Sequence, residues 1–376
     1  MHRTGLTLLT TVVLFFAACA PPSTPRAPGA WIPLNTDTGD AFYSVNFVDR
    51  NVGWLNGHTD RDYLSEEENQ NANKNAAAKP AKKTEVSPKA NQGFEVLQTT
   101  DGGDTWRPIP GQFKHKIRSV WFVDASIGWA LTINRDLLHT TDGGASWALQ
   151  RKAGTIKLKL IGNRRQPEMD QPDQIEHVYF IDKDHGWAWG GGQKTDYADQ
   201  PGIFLATIDG GKNWNEIAYP FEQNVTGIFF LDAARAWAST SAGFYETADG
   251  GLNWNAITTK RPEDAFNSIF FLDEKNGWVV GRSGRLAKTT DGGRTWTKLT
   301  NIKPQFVMKD IVFTDRARGW AAGDDGALLY TPDGGRSWIN VSAPVPAQLT
   351  RILFREGRGW AVGLGGAVLR FEPGDG

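Results

Sequence analysis

The chain has 376 residues and a formal net charge of −1, enough for one large all-β domain or two ordinary ones, without the basic excess that draws nucleic acid. Sixteen Trp and 42 Gly against a mean hydropathy of −0.43 favour short strands, tight turns and aromatic plugs over helices. The one cysteine, Cys19, excludes an internal disulfide.

His2 and Arg3 open the chain, and an apolar run from Leu6 to Ala18 follows. The run is too short to span a bilayer comfortably and suits a signal peptide, residues 1–18. "FAAC" at 16–19 resembles a bacterial lipobox, whose Cys becomes the lipidated first residue of the mature protein. Phe16 stands where Leu is usual. A cleaved signal with an accidental Cys is the other reading, but the Pro/Ser-rich stretch 19–29 suits the tether of an anchored protein. No later segment is apolar enough for a transmembrane helix.

From residue 30 onward the chain repeats. An apolar run leading to a Trp appears seven times: "SVNFVDRNVGW" at 44–54, "SVWFVDASIGW" at 119–129, "HVYFIDKDHGW" at 177–187, "GIFFLDAARAW" at 227–237, "SIFFLDEKNGW" at 268–278, "DIVFTDRARGW" at 310–320 and "RILFREGRGW" at 351–360. The later Trp spacings are 41, 42 and 40 residues, and the earlier ones are stretched to 75, 58 and 50. A period near 40 built of several short strands marks propeller blades. In the fifth unit, strand A is Ser268–Leu272, strand B is "GWVVG", strand C is "RLAKTT" and strand D starts at Trp296. Strand A is apolar on both faces, as a strand buried between neighbouring blades must be.

Between strands C and D a second motif appears six times: "TTDGGDTW" at 99–106, "TTDGGASW" at 140–147, "TIDGGKNW" at 207–214, "TADGGLNW" at 247–254, "TTDGGRTW" at 289–296 and "TPDGGRSW" at 331–338. The seventh unit stops after strand C. "APGAWIPLN" near the start of the mature chain supplies the missing D-type Trp, Trp31. The sequence therefore predicts an all-β, seven-bladed β-propeller of four-stranded blades over 30–376, the last blade closed by the N-terminal strand at 30–35. Pairing first strand with last removes open edges.

Asp101, Asp142, Asp209, Asp249, Asp291 and Asp333 are read as structural turn residues. Their carboxylates accept nearby backbone N–H groups, the glycines supply positive φ, and the following Trp is expected to fill space between blades. Six copies spread round a ring cannot converge on one substrate. The motif resembles the Asp box, or bacterial neuraminidase repeat. The whole unit resembles, more narrowly, the photosystem II stability/assembly factor family, seven-bladed propellers of cyanobacteria and plastids with relatives in other bacteria. That resemblance implies a non-enzymatic protein without cofactor or metal, binding unassembled reaction-centre protein through a basic patch. Two features depart from the pattern: long insertions in blades one to three, and "ARAW" in place of "GW" in blade four.

Connectivity puts the A–B and C–D turns on one face and the B–C and D–A loops on the other. The insertions 58–92, 148–176 and 190–201 all fall in the second set. The first, with acids early and lysines late, is predicted disordered and reads as a tolerated insertion more readily than as a docking arm. The second carries Arg151, Lys152, Lys157, Lys159, Arg164 and Arg165 before any acid; an extra hairpin with a solvated edge and a contact surface are both open readings. Lys114, Lys116, Arg118, Arg282, Arg285 and Arg351 fall on the same face. Arg351 aligns with Ser44, Ser119, His177, Gly227, Ser268 and Asp310 near the mouth of the central channel. The candidate partner-binding residues are Lys116, Arg118, Arg282, Arg285, Arg351, Lys157 and Lys159.

An enzyme is the weaker reading. A sialidase would carry Arg-Ile-Pro near its start, a three-Arg clamp and a Tyr/Glu pair, and "RIL" at 351–353 lacks the Pro. Asp-box xyloglucan hydrolases set paired acids between two propellers, and one is predicted here. HExxH, GxSxG, Walker and paired-cysteine patterns are absent. "DKDHG" at 182–186 resembles a calcium loop but falls at an A–B turn without the remaining ligands. The expectation is an exported, monomeric scaffold, lipid-anchored through Cys19 on the periplasmic side of a membrane, or the thylakoid lumen side in a cyanobacterium. It would bind a membrane-protein client and no nucleic acid. An envelope protein- or glycan-binding propeller is the alternative.

Overall fold

Each repeat folds into strands because its apolar residues alternate between two neighbours. In blade five, Ile269 and Phe271 of strand A (Phe266–Phe271) pack with Trp237 of blade four, while Phe270 reaches Phe313 of blade six at 6.3 Å. A strand sandwiched in this way is stabilised only as part of a ring. The computed structural model describes residues 28–36, 41–58, 96–109, 116–160, 169–172, 175–191, 198–199, 202–221, 225–241, 243–257, 266–299, 306–341 and 343–374. Residues 1–18, Cys19 and nearly all of the 58–92 insertion, with Lys114, Arg164 and Arg165, lie outside them.

Among the described residues, seven four-stranded antiparallel sheets follow one another round an axis, each ordered A–B–C–D from the inside out. Strand A of blade one (Ala41–Phe47) contacts strand A of blade two (Ile117–Phe122) and of blade seven (Leu349–Arg355), closing the inner ring. Blade seven takes its outer strand from Gly29–Pro33, which pairs with Val368–Pro373 and sets Trp31 opposite Phe371. The closure expected at 30–35 is present, shifted by one or two residues. Trp31 is 8% exposed and meets Trp320 edge-on at 5.4 Å.

The plug between blades is the Trp of strand B. Trp54, Trp129, Trp278 and Trp360 are fully buried and stack on a strand-A Phe of the next blade, at 3.7 Å for Phe122, 3.4 Å for Phe180, 3.7 Å for Phe313 and 3.6 Å for Phe47. Burying about 150–250 Å² per indole contributes up to about 4–6 kcal/mol each. The strand-D Trp residues, expected to fill this role, are half-buried apart from Trp31, and most pack edge-on against a strand-A Phe, as Trp106 does on Phe47 at 6.0 Å. The geometry explains the "GW" pair. A Cβ on Gly128 would fall 2.4 Å from the Phe122 ring. Blade four has Ala236 there, and its Trp187–Phe230 pair is tilted by 20°, against 2° for Trp54–Phe122.

An eighth, three-stranded sheet joins two insertions: Thr155–Leu160 lies between Met169–Pro172 and Ala198–Asp199. The D–A connection after blade two and the B–C loop of blade three thus form one accessory element, consistent with their assignment to one face.

Candidate binding face

The six Asp-Gly-Gly turns share one hydrogen-bond pattern. In blade one, Thr99 Oγ1 donates to Asp101 Oδ1 (2.7 Å) and accepts from the Gly103 N–H (2.9 Å). Asp101 also accepts from the Thr105 amide at 2.9 Å and its hydroxyl at 2.6 Å. Asp209 and Asp249 repeat this with Asn213 and Asn253 in place of Thr105. Each turn is tied to the A–B turn of its own blade, as Gly292 N–H to Lys275 O (3.0 Å), so both turn sets share one face. In five of the seams, the strand-B Trp of the preceding blade donates to the first Gly carbonyl, as Trp360 Nε1 does to Gly102 O at 3.0 Å. Burial raises the pKa of Asp101, but hydrogen bonds from Thr105, Thr99 and Gly103 outweigh it and hold it at about 2. Ser146 and Thr140 hold Asp142, and Asn213 and Thr207 hold Asp209, at about 2 as well. These carboxylates are acceptors already occupied by their own turn. Each latches its own turn.

The opposite face is built differently. Strand A begins with a register shift in six blades, for example between Met308 and Asp310 and between Leu349 and Arg351. Beyond that shift the residue opposite the second position after the strand-B Trp is Ser44, Ser119, His177, Gly227, Ser268, Asp310 or Arg351. The sequence alignment of that ring is therefore correct. Its members divide by neighbour. Asp310 is buried, accepting from Ser268 Oγ at 2.7 Å and from the Ile352 N–H at 3.1 Å, and so joins blades five, six and seven. His177 and Arg351 are the exposed members.

His177 lies on Trp189, with ring centroids 5.2 Å apart. Its ring reaches solvent but is crowded by protein. That enclosure, with the charges of Arg351, Arg118 and Arg135, lowers its pKa to about 3. It is neutral at physiological pH, so the cations around it meet no added positive charge. Arg118, at the bulge of its strand, is half-buried and reaches Glu176 at 3.7 Å. Arg135 was not a sequence candidate. It occupies the B–C turn of blade two at φ 70°, a left-handed conformation that disfavours a branched or bulky side chain. The corresponding turns carry Ser283 and Asp325 at φ 56°, so a repeat alignment of these turns was the signal that could have found it.

The other candidates are placed as follows. Lys116 is exposed at the start of blade two, where its carbonyl accepts the Ile133 N–H. Arg282 is exposed and Arg285 half-buried on the B–C turn of blade five. Gly284 of that turn donates to Phe306 O at 2.7 Å, joining it to the following D–A connection and fixing both on this face. Lys157 and Lys159 occupy the middle strand of the accessory sheet, and the register sets Asp170 and Asp199 opposite them. Among the described residues no group of three or more His, Cys, Asp or Glu side chains is arranged to hold a metal ion.

Fold and repeat define a seven-bladed propeller with one face latched by Asp-Gly-Gly turns and one varied face. The family model described as "Photosynthesis system II assembly factor YCF48" matches residues 208–306 and 299–372. The Photosystem II assembly lipoprotein Ycf48 of Synechococcus sp. (strain CC9902) is 30% identical over 118 residues, which are 31% of this chain and 28% of that protein. The aligned part thus spans less than a third of that curated relative. A solved structure of YCF48 bound to D1 peptide shares 23% identity at a TM-score of 0.61, covering 95% of this chain and 99% of that one. YCF48 from Cyanidioschyzon merolae shares 20% at a TM-score of 0.63, covering 92% and 99%. The chain thus resembles the photosystem II assembly factor family over residues 208–372 and shares its propeller fold with both solved structures.

Proposed function

We propose that this protein is an exported, lipid-anchored scaffold that binds an exposed segment of a membrane-protein client and catalyses no reaction. The observation that carries the reading is exposed His177 and Arg351 in the varied inner ring, with Arg118 and Arg135 on the same insertion-bearing face. Planar guanidinium groups bind carboxylates in bidentate pairs, so the segment they fit is acidic. The structural relative bound to a D1 peptide supports a reaction-centre polypeptide as the client type. The relative described as a lipoprotein supports acylation at Cys19. The protein acts as a monomer, needs no cofactor, and faces the periplasm or thylakoid lumen.

The test is titration of a D1 peptide into wild type, Arg351→Glu and Arg135→Ala. Reversing one charge weakens binding at least tenfold, about 1.4 kcal/mol. Equal affinity in all three proteins would remove the cluster from the account. Cys19→Ala, expressed in the native membrane setting, moves the protein to the soluble fraction; retention on membranes would end the anchor reading.

A further inference from the structure

The direction of one strand decides how an anchored propeller can meet its client. Gly29–Pro33 enters blade seven at the level of Pro373, where Gly374 N–H donates to Pro28 O at 2.7 Å. It leaves at the level of Val368, where Leu34 N–H donates to Val368 O at 2.8 Å. Strand C of this blade starts at Val368, next to the B–C turn, and runs away from it to Pro373. The tether therefore joins the propeller on the Asp-box face. Arg351 stands at the other end: it lies opposite Val362, which lies opposite Val368. From Val368 to Pro373 is six residues, about 17 Å of strand from end to end. The N-terminal end of the Gly29–Pro33 strand and Arg351 thus lie at opposite faces of the blade.

We propose that the segment from Cys19 to Gly29 is a spacer, long enough to carry the binding face round to a client in the same bilayer; this rests on the anchored-scaffold reading above. Ten residue steps separate Cys19 from Gly29 and reach at most about 33–36 Å. Covering the blade takes about 17 Å of that, so roughly half remains for the gap to the headgroups. Gly29–Pro33 is the outermost strand of its blade, so a path along its outside crosses no other strand of the ring. Deleting residues 21–26 leaves four steps, about 14 Å, which is shorter than the blade.

The experiment uses full-length acylated protein in phosphatidylcholine vesicles. A D1 peptide is presented either free in solution or coupled to a phospholipid of the same vesicle. Protein lacking residues 21–26 binds the free peptide as wild type does and binds the displayed peptide at least tenfold more weakly. Six Gly/Ser residues inserted at the deletion restore displayed binding. Undiminished binding of displayed peptide by the shortened protein would overturn the spacer. Flotation with the vesicles verifies anchoring in both proteins. A wild type that does not float, or that ignores free peptide, would overturn the anchor or client reading respectively, and the spacer with it.

Discussion

The two faces of this disc use the same residue types to opposite ends. On the Asp-box face, every motif carboxylate is committed to its own turn, and the same pattern recurs in six blades. On the other face the equivalent positions hold Ser, His, Gly, Asp and Arg, and they differ in whether they are spent internally. Asp310 and Ser268 bond blades together, whereas His177 and Arg351 remain exposed. Repetition marks what holds the ring together, and variation on a rigid scaffold marks what it presents. Substitutions on the first face should therefore change stability, and those on the second should change binding.

The largest effect tests ring closure. Removing residues 28–36 strips the outer strand of blade seven and uncovers Trp320, Phe354 and Phe371, which Trp31 now covers. The thermal midpoint should fall by at least about 5 °C, in line with a loss exceeding about 3 kcal/mol. An unchanged melt would show that the strand is dispensable. Next comes a single latch. Thr331 is fully buried, donates to Asp333 and accepts from Gly335 N–H at 2.8 Å. Thr331→Val leaves that amide unpaired and should cost about 1–3 kcal/mol in urea unfolding.

The latches also predict a response to acid. Asp101, Asp142 and Asp209 have folded pKa values of about 2, below the ordinary 3.8. A depressed carboxylate contributes stability that is fully present above its unfolded value and is lost as pH falls through the folded one. The urea midpoint should therefore drop between about pH 4 and pH 2, and less steeply in Asp101→Asn. Parallel pH profiles for the two proteins would contradict the assignment. The smallest stability effect belongs to the other face: Arg351→Glu should shift unfolding by less than about 0.5 kcal/mol.

Blade number, strand order and closure were legible from the two Trp sets and the Gly-rich turns between them, because such turns would break a helix every few residues. The division of labour between the two Trp sets was not. Both look like large aromatics after a turn, and only the stacking of Trp54 on Phe122 and its counterparts separates plug from cover. The glycine before the plug carried that information, since it exists to clear the Phe ring. At the candidate binding face, Arg351 and His177 were found by alignment, but Arg135 hides in a turn of variable length. Lys157 and Lys159 appeared as an uncompensated basic run because their cross-strand partners, Asp170 and Asp199, come later in the chain.

The measurement that bears most directly on the separation of the faces is a paired one. A D1 peptide is titrated into Arg351→Glu and Asp291→Asn, and both proteins are melted. Arg351→Glu should lose at least tenfold in affinity and keep its melting point; Asp291→Asn should melt earlier and bind like wild type. If Asp291→Asn weakened binding while Arg351→Glu left it intact, the assignment of structure to one face and recognition to the other would be wrong.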